Sequence, residues 1–188
     1  MAEPLAIHLL GPEPHVVKAG QRQPQPRGRK VWALLAYLLT TESPPSREWL
    51  TGLLFCDAAD PLNALSWNMT QLRKLLGDES SLSGEPVVLR LPHGTFVDVH
   101  ALTAGTWLQA IDVPGLGREL LEGMTFSACP GFDAWLLASR LVAANPLDED
   151  AQELLVRAYV ASGDQAAAEV QRDACVALFR RELGTDPA

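Results

Sequence analysis

The chain has no apolar run approaching the roughly 20 residues that a membrane-crossing helix needs, so none is expected. Its first residues, MAEPLAIHLLG, place no basic segment ahead of a short apolar run and make a poor signal peptide. Cysteine is scarce. Cys56, Cys129 and Cys175 are odd in number and far apart in sequence, and they form neither a disulfide framework nor a zinc pattern. That usage favours a reducing, cytoplasmic setting. The four histidines are scattered, with no HExxH spacing. Glycine occurs in GPEP and DVPGLG, but neither has the strand–helix setting or the Lys-Ser/Thr of a phosphate-binding loop. Asp148 and Glu149 open a helical stretch, where carboxylates are expected anyway. No nucleophile sits in a recognisable pattern with a base, so catalysis is not expected.

Positive charge is also short. Lys and Arg number 15 against 23 Asp and Glu, a net charge of −8, which argues against indiscriminate binding to nucleic acid. The deficit is uneven. Residues 1–100 carry 9 basic and 10 acidic side chains, whereas residues 101–188 carry 6 and 13. Within the first part, Lys18, Arg22, Arg27, Arg29 and Lys30 run with no acid between them, enough for a local basic face. The hydrophobic content, 47%, is ample for a packed core, and 188 residues suit one ordinary domain or two small ones.

The order of elements is legible. LAIHLLG (5–11) and HVVKA (15–19) read as strands around a GPEP turn, and QRQPQPR (21–27) as an edge strand or loop. Helical spacing then runs from Gly28 to Thr41, with Val31, Leu34, Leu35, Leu38 and Leu39 on one face. Ser46 is a suitable cap for a second helix to Phe55. VVLRL and TFVDV, on either side of Pro92–Gly94, predict a β-hairpin. Strands, three helices and a hairpin make a winged-helix arrangement, in which the second helix of the helix-turn-helix pair enters the major groove.

PLNALSWNMTQLRKLLG (61–77) holds that position. Asp60 caps it, Pro61 suits its first turn and Gly77 its left-handed stop. Leu65, Met69, Leu72 and Leu76 form the inward stripe, which turns Trp67 outward beside Asn63, Thr70, Gln71 and Lys74. An outward tryptophan either reads a partner or lies under another part of the chain.

Beyond residue 101 the strand signals stop. Thr103–Ile111 and Leu116–Glu122 are short helical candidates, followed by Phe132–Ala144. Asn145-Pro146 opens a helix that ends at Ser162 and Gly163, and Asp164 caps another that runs to Leu183 and Gly184. Alanines at the crossing (Ala151, Ala158, Ala161, Ala167, Ala168, Ala174) give this pair the look of a tetratricopeptide-type (TPR-like) hairpin, with Leu154, Leu155, Ala158 and Tyr159 facing the next helix. Trp32, Trp49, Trp107 and Trp135 lie on or beside apolar stripes and are expected in the core.

GRKVWALLAYLL, SREWLTGLLF, ALSWNMTQLRKLLGD and a segment ending in VDV together resemble the DNA-binding half of the SARP-type (antibiotic regulatory protein) bacterial transcriptional activators. FDAWLLASR, followed by NPLDEDAQELLVRAYVASGDQAAAEVQRDACVALFRRELGTDP, resembles the bacterial transcriptional activator domain that follows it in that family. The resemblance implies an α+β winged helix over residues 1–101 and an all-α, TPR-like domain over 102–188. It implies double-stranded promoter DNA as the partner, with RNA polymerase and a second copy of the chain as further candidates. It implies no cofactor and no membrane. Larger family members append further modules, so a stand-alone protein and a fragment are both compatible with this length. Two departures stand out. Only LVAA follows Arg140 before NPLDED, so the helical domain is either trimmed or lacks a segment, and is expected to pack differently or to expose apolar surface. Thr70 and Gln71 also occupy positions where related proteins often carry arginine or lysine.

The DNA-contacting residues expected on this basis are Asn63, Trp67, Thr70, Gln71, Arg73 and Lys74 on the reading helix, Arg27, Arg29 and Lys30 at the start of the first helix, and Arg90 on the wing. His93 on the wing carries less weight. The alternative is a protein-interaction module, or a fragment of a larger regulator, that keeps the fold without binding DNA.

Overall fold

The computed structural model describes residues 5–41, 43–79, 81–103 and 115–187. Strands β1 (Leu5–His8) and β2 (His15–Lys18) pair antiparallel, and the short β3 (Gln21–Arg22) forms the edge beyond β2. Helices α1 (Lys30–Thr40), α2 (Arg47–Leu54) and α3 (Pro61–Leu76) follow. Every residue of α1 from Val31 to Leu39 is buried, so this helix is the axle of the fold rather than a one-sided surface helix.

The wing is built differently from the sequence expectation. Val88–Leu89 (β5) pairs with Leu82–Ser83 (β4), not with the segment after Pro92–Gly94. Phe96–Val97 (β6) instead joins the main sheet, parallel to β1, giving the strand order β3-β2-β1-β6. The VDV segment continues into helix α4 (Asp98–Thr103). The free edge of β1 is a better partner for β6 than a local hairpin, because it buries Val97 against Ile7 in the core. Gly84 turns the wing at φ +89, where a Cβ would come within 3.0 Å of the Pro86 carbonyl oxygen. The Glu85 carboxylate accepts from the Arg47 amide at 3.1 and 3.2 Å and so ties the wing turn to the first turn of α2.

Asp98 is buried and fastens β6 to β1. Its Oδ2 accepts the amides of Leu9 and Leu10 at 2.8 and 2.9 Å, and its Oδ1 accepts that of Val99. Burial pushes this carboxyl upward, against the downward pull of the three amides.

The helical half contains α5 (Pro130–Ala144), α6 (Glu149–Ser162) and α7 (Gln165–Leu183). Asp148 rather than Asn145 caps α6, its carboxylate accepting the Ala151 amide, so the helix opens after the Asn-Pro pair. Leu116–Glu122 is not a helix. It is a turn segment whose Leu120 bridges Leu10 and whose Leu121 amide donates to the Leu9 carbonyl. The helical expectation for Thr103–Ile111, and with it Trp107, falls on residues 104–114, outside the described residues. Ala151, Ala158, Ala167 and Ala168 are buried at the α6–α7 crossing of the TPR-like hairpin, whereas Ala161 and Ala174 are exposed. Leu155 and Tyr159 point inward, but Leu154 faces outward, as do Leu137 and Leu141 on α5. The helical half therefore leaves apolar side chains in solvent.

The two halves share one core. Trp135 of α5 is fully buried and meets the Tyr37 ring of α1 edge-on, with centroids 5.1 Å apart. The Tyr37 hydroxyl receives the Trp49 indole N–H at 2.9 Å and donates to Asp164 Oδ2 at 3.0 Å. Asp164 Oδ1 meanwhile caps α7 through the Ala167 amide. Tyr37→Phe removes the centre of this relay, strands two partly buried polar groups and is expected to cost about 1–3 kcal/mol. Chemical denaturation with a lowered midpoint and an unchanged slope is the check.

Candidate nucleic-acid interface

Helix α3 is fixed at both ends by its own sequence. The Asp60 carboxylate accepts the Asn63 amide at 3.0 Å, and Gly77 closes the helix at φ +71, where an added Cβ would meet Lys18 Nζ at 2.8 Å. The inward stripe is as expected, with Leu65, Met69, Leu72 and Leu76 buried, and Leu75 joins it. Asn68 is also buried. Its amide donates to the Ala64 carbonyl at 2.8 Å, while its Oδ1 has no partner among the described residues.

The opposite side is uncovered. Trp67 is 45% exposed, Asn63 and Lys74 are exposed, and Thr70 and Gln71 are half-buried. Leu62 (60% exposed) and Ser66 also reach solvent on this helix, and neither was among the residues expected from sequence. Their signal was weak, because an apolar residue in a first turn and a serine beside a leucine stripe both read as neutral. The Thr70 hydroxyl donates back to the Ser66 carbonyl at 3.0 Å, which leaves its oxygen free to accept.

Two expected cations are already engaged. Arg73 turns toward the wing, and its Nε and Nη2 both donate to the Leu82 carbonyl, at 3.1 and 2.7 Å. It braces the wing against α3 and does not present its guanidinium on the outer face. Lys30 is ion-paired with Asp57 and lies 5.3 Å from the centre of the Phe55 ring. The ammonium's hydrogen bond holds the Asp57 carboxyl below its usual range. The remaining cations are freer. Arg27 and Arg29 are exposed and make no ion pair among the described residues. They precede an α1 N-terminus that has neither a side-chain cap nor an acidic first turn. Arg90, exposed just beyond β5, lends one N–H to the Ser83 hydroxyl at 2.8 Å. His93 is exposed between β5 and β6.

Away from this surface, Cys56, Asp57 and Cys129 bring donor atoms within 4.8 Å of one another, a convergence that their sequence spacing hides. The Lys30 ammonium on Asp57 opposes a dication there. No described helix is long and apolar enough to cross a membrane.

No curated protein matches the chain. A solved structure of Mycobacterium tuberculosis EmbR in complex with a low-affinity phosphopeptide is similar, with 22% identity over 99% of this chain and 62% of that one and a TM-score of 0.48. The chain thus spans less than two thirds of that protein's length. Residues 133–188, from α5 to the end of the sequence, match the family model of the bacterial transcriptional activator domain. The helical half of the chain is thus similar to the bacterial transcriptional activator domain.

Proposed function

We propose that the protein is a cytoplasmic, sequence-specific DNA-binding transcriptional regulator, an activator by its C-terminal domain, and that α3 reads the major groove. The observation that carries this reading is the open polar face of a helix capped at both ends and held by a buried leucine stripe. Asn63 and Gln71 have the amide geometry that suits adenine, Lys74 suits guanine or phosphate, and the Trp67 indole suits thymine methyls and sugars. Arg27 and Arg29, beside an α1 N-terminus that no side chain caps, are suited to hold phosphate, and Arg90 to hold the backbone beside the wing. Arg73 and Lys30 are assigned to positioning. On this reading the work is recognition rather than catalysis, with promoter DNA, RNA polymerase and a second copy of the chain as the partners to be tested.

The test is a titration of the DNA upstream of the protein's own gene at several salt concentrations, read by fluorescence anisotropy. Affinity is expected to fall steeply with salt, and Arg29→Ala to reduce the slope of log K against log salt by about one. Salt-independent binding, or none, overturns the proposal. A second reading, a winged helix that docks a protein, is favoured by one observation. The α3 surface shows the large apolar groups of Leu62 and Trp67 and only one free cation, Lys74, among its described residues. Binding of a protein partner that is lost in Trp67→Ala, with DNA affinity absent, would select it.

A further inference from the structure

The junction between the winged helix and the helical half contains a thiol pair. Cys56 lies in the loop between α2 and α3, four residues before the Asp60 cap, and Cys129 is the residue that precedes α5. The two are 73 positions apart in sequence, yet each thiol crosses the junction to a backbone carbonyl near the other. Cys56 Sγ donates to the Ala128 carbonyl and Cys129 Sγ to the Leu54 carbonyl, both at 3.2 Å. The two sulfur atoms lie within 4.8 Å of each other, and Cys129 Sγ lies 3.7 Å from Asp57 Oδ1. Cys56 is exposed and Cys129 is buried.

We propose that Cys56 and Cys129 form a reversible disulfide that ties the loop feeding α3 to the start of α5, with a peroxide as the oxidant. The exposed Cys56 sulfur attacks the peroxide. An S–O bond forms as the O–O bond breaks, giving a sulfenic acid and water. The Cys129 sulfur then attacks the Cys56 sulfur, the S–O bond breaks, and the hydroxide leaves as a second water with the Cys129 proton. The pair loses two electrons in total and the peroxide gains them.

The surroundings favour this outcome over a metal centre. A zinc site normally needs a fourth ligand. Here Asp57 is already neutralised by Lys30. Among the described residues the cluster stops at three donors. Disulfide formation needs neither Asp57 nor a fourth group, only the closing of two thiols whose sulfur atoms lie within 4.8 Å of each other.

The experiment treats the full chain with hydrogen peroxide, blocks remaining thiols with iodoacetamide and maps peptides without reduction. The expected product is a Cys56–Cys129 linked peptide, with the buried Cys175 alkylated after unfolding as a free thiol and the link reversed by dithiothreitol. The unfolding midpoint should rise on oxidation of the wild type and not of Cys56→Ser, an exposed substitution that leaves the core untouched. Three results overturn the proposal: Cys56 oxidised to sulfinic acid while Cys129 stays free; links only between chains; or one zinc ion bound per chain in the presence of zinc chloride and lost in Cys56→Ser. The bond does not depend on DNA reading, so it stands or falls apart from the proposed function.

Discussion

Replacing Trp135 with alanine is expected to cost about 3–5 kcal/mol of folding stability, the range for deleting a buried tryptophan. The side chain is fully buried, with its ring 5.1 Å from both Tyr37 and Phe132. Tyr37 belongs to the buried helix of the winged half and Phe132 to α5, so the cavity left by alanine opens at the seam of both halves. A loss of this size is a large share of the stability of an ordinary domain. Because the core is continuous, unfolding should remain one transition, at a lower denaturant midpoint. Trp135→Phe should cost far less, since it keeps an aromatic ring at the seam and removes an indole N–H that has no partner among the described residues. Two separated transitions in Trp135→Ala would mean that the halves do not share a core.

The second large effect falls on binding. Trp67→Ala should lower affinity for the cognate DNA by about tenfold or more, in line with about 1–3 kcal/mol for a good base contact. Its stability should change by less than about 0.5 kcal/mol, because the removed surface is already largely in solvent. Anisotropy titration and denaturation of the same sample separate the two quantities. A variant that unfolds readily, or that binds like the wild type, counts against a groove-facing indole.

How much of this was legible in the sequence depended on how local the cause was. Helices α1, α2, α3 and α7 announce themselves through apolar spacing and through Ser46, Asp60, Asp164 and the stop glycines, and the structure keeps their ends within a residue or two. The wing was misread because VVLRL-PHG-TFVDV is a consistent local hairpin. The pairing of Phe96–Val97 with β1 is decided by an edge 90 residues away in the chain. The same limit applies to the site. The exposed face of α3 follows from helical periodicity alone. Nothing in the sequence distinguishes Arg73 and Lys30, whose charges go to Leu82 and Asp57, from Arg29, which stays in solvent. The meeting of Cys56 and Cys129 is invisible until the halves are packed together.

The most direct measurement of the central claim is photocrosslinking. A benzoylphenylalanine is placed at position 67 on α3 or, as a control, at position 154 on the outer face of α6, and the protein is irradiated on its own upstream DNA. Covalent products at position 67 that map to bases within one major groove are expected, and none at position 154. Crosslinks from position 154 with none from position 67, or products at position 67 only with protein, would contradict it.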